Sequence, residues 1–134
     1  MIDIKRSMID NLTEVKNVNT NEVVEKICRA ADDKKARDIV TMNMQGLMFS
    51  TDYFVICSAQ TATQVRAIAD NIEEMLHEAG VDFFHKEGYN EGEWVLLDYG
   101  DVVAHVFREV NREYYALEEL WGAAELKRFD GRTA

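Results

Sequence analysis

An unbroken apolar run followed at once by a capped amphipathic helix constrains the fold of this chain more than any other feature. The run, Tyr53–Cys57, contains no charged side chain, as expected for a strand that is buried on both faces. After it, Thr61 and Gln64 have the spacing of a capping box, and Gly80 is a typical stop signal. A doubly covered strand with a helix directly after it indicates an α/β domain.

The helix between Thr61 and Gly80 has a clear apolar stripe at spacings of three and four residues. Ile68 and Ile72 lie at its centre, so we expect both side chains to face the core, whereas Glu74 lies on the charged side. The predicted stripe consists of Val65, Ile68, Ile72, Met75 and Ala79.

A second helix precedes this unit. Asn21 is a plausible N-cap, and the apolar residues after it share one helical face. Ile39–Met44 then predicts a strand, because apolar and polar residues alternate along it. The predicted face of the first helix consists of Val23, Val24, Ile27, Cys28 and Ala31.

The C-terminal half predicts a short strand, a hairpin and a closing helix. Asp82–Lys86 is the short strand, and Trp94–Tyr99 and Val102–Arg108 are the hairpin strands. Gly100 at the first turn position suits a type II′ turn. The closing helix begins near Val110 or Asn111, and its predicted buried stripe is Val110, Tyr114, Leu117, Trp121 and Ala124.

The resulting order, α-β-β-α-β-β-β-α, predicts a single α/β domain with a mixed sheet of about five strands covered by helices. The length of 134 residues fits one domain. We place an N-terminal extension at residues 1–20, with one short helix around Met8 to Leu12. The domain itself spans residues 21–126, and residues 127–134 form a C-terminal tail.

The charge is concentrated in the second half of the chain. Residues 70–125 carry fifteen acids and three bases, within a formal net charge of −10. Such a surface repels phosphate backbones and attracts basic partners, so we expect no direct nucleic-acid readout. The alternative is a solvated face that only keeps the protein soluble.

We expect no membrane span and no signal peptide, which favours the cytoplasm. Cys28 and Cys57 are expected to be buried, reduced thiols.

Candidate chemistry is sparse. Asp98 and Asp101 could hold Mg²⁺, but aspartates also make local hydrogen bonds in turns, which we favour. The segment 58–60 follows a buried strand, where phosphate loops often lie, yet it lacks their glycines and lysine. His77, His85 and His105 have no second metal ligand at short spacing. We therefore expect no cofactor, no metal and no catalytic activity.

Aromatic and acidic residues are crowded into residues 94–121, and both faces of the hairpin are largely apolar. A helix can cover only part of this surface, and the remaining strip, rimmed by acids, would bind a protein. In the alternative, Trp94 and Tyr99 are core, Asp101 only makes the turn, and the site moves to the acidic helix from Thr61 to Ala79. The candidate partner-binding residues are Trp94, Asp98, Tyr99, Asp101 and His105.

The block 94–107, Trp-Val-Leu-Leu-Asp-Tyr-Gly-Asp-Val-Val-Ala-His-Val-Phe, closely resembles the signature of the ribosomal silencing factors, also called Iojap-like proteins. Residues 33–39, 52–70 and 112–121 resemble three further segments of that family. The resemblance covers roughly residues 22–124.

This resemblance implies a nucleotidyltransferase-like topology and a function without catalysis. Members of the family bind the large ribosomal subunit through its ribosomal protein fourteen, block association with the small subunit, and repress translation when nutrients are short. A homodimer is left open. The alternative is a degenerate nucleotidyltransferase-type module that binds nucleotides, although the paired D-x-D carboxylates of metal-dependent transfer are absent.

Overall fold

A computed structural model describes residues 19–131, so the helix predicted around Met8 to Leu12 lies outside the described residues. The elements follow one another in the order α-β-β-α-β-β-β-α-α-β. The helices are α1 (Thr20–Asp33), α2 (Ala62–Glu78), α3 (Glu109–Tyr115) and α4 (Leu117–Leu120), and the strands are β1 (Arg37–Asn43), β2 (Tyr53–Ala59), β3 (His85–Glu87), β4 (Trp94–Asp98), β5 (Val102–Arg108) and β6 (Glu125–Arg128).

The strands form one mixed sheet in the order β3-β4-β5-β2-β1-β6. The central pair, β2 and β5, is parallel, with Tyr53 opposite Val102 and Ala59 opposite Arg108. The other neighbouring strands are antiparallel. The predicted single α/β domain with a mixed sheet is confirmed, with one strand more than expected.

Helix α1 begins earlier than predicted. Its N-cap is Asn19 and not Asn21, since the Asn19 side chain accepts a hydrogen bond of 2.9 Å from the backbone N–H of Glu22. Two asparagines two residues apart offer equivalent caps, and the earlier one allows Thr20 to join the helix. The predicted face is otherwise confirmed. Val24 is only partly buried, and the other predicted residues are buried: Val23, Ile27, Cys28 and Ala31.

Helix α2 has the predicted start and stop. The Thr61 hydroxyl accepts a hydrogen bond of 3.1 Å from the Gln64 backbone N–H, and Gly80 adopts a left-handed φ of 81°. The Gln64 side chain donates to the Lys34 carbonyl, so it joins α2 to the end of α1. Met75 and Ala79 are only half-buried, contrary to the predicted stripe. The buried residues are Val65, Ile68, Ala69, Ile72 and Leu76.

The prediction of one continuous closing helix is wrong. Ala116 adopts a left-handed φ of 47° and separates α3 from α4. The turn rotates the predicted stripe out of phase, so Tyr114 is 80% exposed and Val110 is exposed too, whereas Leu117 is buried. The chain then returns as β6, which pairs with β1 and crosses the boundary placed at residues 126 and 127.

The two faces of the sheet are covered unequally. Helices α1 and α2 pack on what we call the first face, and together they enclose the larger hydrophobic cluster. The opposite, second face carries a smaller cluster, against which Leu117 and the half-buried Trp121 pack. This inequality decides which side chains of the central strands stay accessible.

Candidate functional site

The second face is the most accessible apolar part of the sheet. Trp94 and Leu96 of β4 are only half-buried on it, although the β5 residues beside them are buried. Their neighbours across the strand pair are Phe107 for Trp94 and His105 for Leu96. A central sheet surface of large apolar side chains that its own helices leave half covered is suited to contact another protein.

Trp94 is the centre of an aromatic cluster at the α3 end of this face. Its ring is stacked on Phe107 at a centroid distance of 4.8 Å, and Tyr115 lies 4.7 Å away. Tyr115 is 46% exposed, and Tyr114 packs edge-on against it. The cluster therefore extends from the core to the surface, and its outer members present aromatic rings to solvent.

A hydrogen bond inside the cluster fixes the state of His105. The Trp94 indole N–H donates to His105 Nδ1 at 3.1 Å. Because an indole nitrogen only donates, Nδ1 must be the acceptor, and the neutral ring carries its proton on Nε2. Burial lowers the pKa of His105 to about 3. Within residues 19–131 the buried Nε2 atom has no hydrogen-bond partner.

Asp98 and Asp101 both take part in the turn between β4 and β5. The Asp98 carboxylate accepts a hydrogen bond of 2.7 Å from the Gly100 backbone N–H, and Gly100 has a left-handed φ of 85°. The Asp101 carbonyl accepts from the backbone N–H groups of Asp52 and Tyr53. The predicted turn chemistry is thus present, while the Asp101 side chain stays exposed and the Asp98 side chain half-buried.

The predicted site residues do not form one surface. Trp94, Asp98 and His105 share the second face. Tyr99 lies on the first face, where it is 8% exposed and belongs to the larger cluster. Strand alternation accounts for this separation, because adjacent residues of β4 point to opposite sides of the sheet.

Sequence reasoning missed two exposed aromatic residues. Phe49 is fully exposed in the loop after β1, next to Met48, which packs against the second-face cluster. Tyr115 was not assigned to the site, although it contacts Trp94. The run Leu47-Met48-Phe49 is unusually apolar for a loop after a glycine. This run was the sequence signal that could have indicated an exposed apolar residue here.

The strand-to-helix turn considered for phosphate binding holds a closed polar network. The Arg112 guanidinium donates to Glu118 at 2.9 and 3.1 Å and to the Ser58 hydroxyl at 3.1 Å. This cation is therefore occupied by the protein's own groups. In the part of the chain that the structure describes, no group of three or more metal-ligating side chains is present.

The two cysteines are buried as thiols. The pKa of both Cys28 and Cys57 is raised to about 12, and burial is the largest cause. A thiol with so high a pKa forms little thiolate at neutral pH, which makes both residues unreactive core side chains. Among the helices of residues 19–131, none combines the length and apolar character needed to cross a membrane.

A solved structure shares the architecture of this chain. A crystal structure of a Chromobacterium violaceum protein is similar with a TM-score of 0.76 and 34% identity, covering 86% of this chain and 96% of that one. Both coverage values are high, so the similarity extends over the whole domain and not over one motif.

The sequence comparisons identify the family. The family model described as "Ribosomal silencing factor during starvation" matches residues 17–133. A ribosomal silencing factor of Halalkalibacterium halodurans is 40% identical over 85% of this chain and 97% of its own length. The chloroplastic protein Iojap of Zea mays is 34% identical over 73% of this chain and 42% of its own length. The chain belongs to the ribosomal silencing factor family, as its hairpin block predicted.

Proposed function

We propose that this protein binds the large ribosomal subunit through ribosomal protein fourteen of that subunit and sterically blocks association with the small subunit. Translation is thereby repressed when nutrients are limiting. The observation that carries the proposal is the half-covered aromatic second face in a chain of this family. Occlusion needs a rigid docking surface and no reacting group, so the proposal assigns no catalytic residue and no cofactor.

The docking surface that we propose is centred on Trp94. Tyr115 extends this surface towards solvent, and His105 accepts a hydrogen bond from the Trp94 indole. Aromatic residues beside a buried centre are typical anchors of protein interfaces. Asp98, at the edge of the same face, and Asp101, in the adjoining turn, supply negative charge for a basic ribosomal protein. Tyr99 contributes from the opposite face, by holding the turn in place.

The charge of the chain supports a protein contact in preference to a nucleic-acid contact. With fifteen acids and three bases in residues 70–125, the surface would be repelled by ribosomal RNA and attracted by a basic protein. The proposed place of action is the cytoplasm, where subunits join, with no membrane contact. A homodimer is compatible with this role but is not required for occlusion.

Co-sedimentation with isolated large subunits tests the proposal. The protein is expected to travel with large subunits and to lower the yield of joined ribosomes when small subunits are added. Association should slow as ionic strength rises, because long-range attraction between acidic and basic surfaces is screened. Unchanged subunit joining at saturating protein would contradict the proposed function.

Substitutions of two exposed aromatic residues, one inside and one outside the proposed docking surface, test its location. Tyr115→Ala removes a ring that contacts Trp94 and is 46% exposed, so the fold should survive. We expect affinity for large subunits to fall about tenfold, or about 1.4 kcal/mol. Phe84→Ala is the control, because Phe84 is an exposed aromatic residue outside the second-face cluster. Equal losses in both variants would show that the second face is not the docking surface.

A further inference from the structure

A groove beside the β4–β5 turn lies outside the Trp94 cluster and shares only Tyr99 and Asp101 with the residues proposed for docking. A hollow of about 430 Å³ lies between the start of α1, the segment after α2, and the β4–β5 turn. Val23, Val81 and Val102 contribute apolar wall, and Phe84 stands at the rim, 80% exposed. The Phe84 backbone N–H donates to the Asp98 carbonyl at 2.8 Å, so the exposed ring is attached to a fixed backbone position.

A second hollow, of about 360 Å³, continues this groove over the acidic side of α2. The two hollows share Asp82, Phe83 and Tyr99. The second adds three carboxylates from α2, and the first adds Asp101 at its opposite end. The added α2 residues are Asp70, Glu73 and Glu74.

The cations near the groove leave most of this negative charge uncompensated. Lys86 binds both carboxylate oxygens of Glu73 at 3.2 Å. His77 contacts Asp82 at 2.6 Å, and this hydrogen bond is the main reason that the pKa of His77 is raised. The Glu74 and Asp101 side chains are exposed and form no salt bridge within the described range of residues 19–131.

Tyr99 supplies an observation independent of this charge. It lines both hollows and is 8% exposed, yet its hydroxyl has no hydrogen-bond partner in the part of the chain that the structure covers. Burial, together with the carboxylates of Glu73 and Asp82, raises the pKa of this phenol, so it stays neutral. A buried hydroxyl without a partner is costly, and native proteins usually satisfy such groups.

We propose that this groove binds an extended, arginine-bearing segment of a partner protein. An apolar side chain of the segment packs between Phe84 and the valines, and a guanidinium lies between Asp82 and Glu74, which both line the second hollow. Arginine fits better than lysine, because its planar guanidinium both stacks on an aromatic ring and donates to carboxylates. A polar group of the segment at the groove floor completes the hydrogen bonding of Tyr99. Apart from Tyr99 and Asp101, this surface consists of residues outside the proposed docking surface, so the inference goes beyond the proposed function.

The test uses the full-length chain and two fluorescent octapeptides. One alternates arginine with leucine, and the other has glutamate in place of each arginine. Binding is measured by fluorescence anisotropy at physiological salt. We expect the arginine peptide alone to bind, and Phe84→Ala and Asp82→Asn each to weaken it about tenfold. Glu113→Gln is the matched control, since it removes one charge from an exposed carboxylate on α3 and should leave affinity within twofold.

Tyr99→Phe separates the groove from general electrostatics. This change removes only the hydroxyl, which has no protein partner to lose in residues 19–131, so the melting temperature should not fall. Affinity for the arginine peptide should fall at least threefold. Equal weakening by Asp82→Asn and Glu113→Gln, or unchanged affinity in Phe84→Ala and Tyr99→Phe, would overturn the proposal.

Two other occupants are distinguished in the same experiments. Self-association of the free chain that is lost in Phe84→Ala would assign the groove to a second copy and overturn the proposal. Tighter peptide binding after removal of residues 1–16, which precede the family match at residue 17, would assign it to the chain's own first residues and would also overturn it. Large-subunit binding by Phe84→Ala should be unchanged, so this inference and the proposed function can fail separately.

Discussion

The neutral, buried imidazole of His105 should make the stability of this protein depend on pH in a defined way. Burial lowers the pKa of His105 from 6.5 to about 3 in the folded chain. Between these two values the unfolded chain binds a proton that the folded chain does not. The stabilisation from the neutral ring is therefore fully present above the unfolded pKa and is lost progressively as the pH falls towards 3.

The magnitude follows from proton linkage. Between pH 7.5 and pH 5.5 the folded ring stays neutral, while the unfolded ring changes from mostly neutral to mostly protonated. This difference costs about 1.4 kcal/mol of unfolding free energy, the equivalent of one tenfold change in equilibrium. The range stays above the isoelectric point of about 4.7, so the chain keeps a net negative charge throughout.

The assay compares the natural chain with His105→Asn by urea denaturation at both pH values. Asparagine keeps an acceptor for the Trp94 indole and does not titrate, so the smaller side chain adds only a constant loss of stability. His77 contributes with the opposite sign, since its raised pKa gives stability at low pH that is lost as the pH rises. Its effect is common to both chains and cancels in their difference.

The natural chain should lose about 1.4 kcal/mol more than His105→Asn between pH 7.5 and pH 5.5. A difference between the two chains that stays constant within about 0.4 kcal/mol would refute the reasoning. It would mean that His105 is hydrated in solution, and that the second face around this residue is more open than the 4% exposure of His105 indicates.

Three further predictions concern packing and the break in the closing helices. Ile72→Ala should lower the unfolding free energy by about 2–5 kcal/mol, because Ile72 is fully buried. Glu74→Ala should change it by less than about 0.5 kcal/mol, because Glu74 is exposed. Similar losses for the two variants in chemical denaturation would contradict the assignment of which side of α2 faces the core. Arg112→Ala should lower the unfolding free energy by about 2–4 kcal/mol, since it leaves the half-buried Glu118 without its partner. Thermal or urea unfolding measures this loss, and a value below about 1 kcal/mol would show that the ion pair is solvated. Ala116→Gly should raise the unfolding free energy by about 1 kcal/mol, because glycine adopts the left-handed conformation without a Cβ clash; a lower melting temperature would argue against that conformation.

Local signals in the sequence were sufficient for the elements that carry their own caps and periodicity. The β2–α2 unit was predicted from an apolar run, a threonine cap and a glycine stop, and the structure has each of them. The hairpin turn was predicted in the same way from Gly100. In these segments the residues that decide the conformation are neighbours in the chain, so a short stretch of sequence is sufficient to predict it.

Features that depend on distant contacts could not be predicted. Strand β6 has exposed residues and no clear alternation, and it exists because the edge of β1 is available for pairing. Asn19 and Asn21 are equivalent as caps until the helix is packed. The left-handed turn at Ala116 has no glycine or proline to indicate it. It is held instead by contacts on both sides, where Arg112 of α3 binds Glu118 of α4.

The turn at Ala116 also determines which part of the candidate site could be foreseen. The sequence showed that both faces of β4 are apolar and that helices could cover only part of them, which the half-buried Trp94 and Leu96 confirm. It did not show where the coverage would end. A continuous closing helix would have buried Tyr114 in its stripe. In the structure Tyr114 and Tyr115 are both exposed, and Tyr115 contacts Trp94. The outer part of the aromatic surface thus lies next to one unusual backbone conformation, and an ion pair between Arg112 and Glu118 links the two sides of that turn.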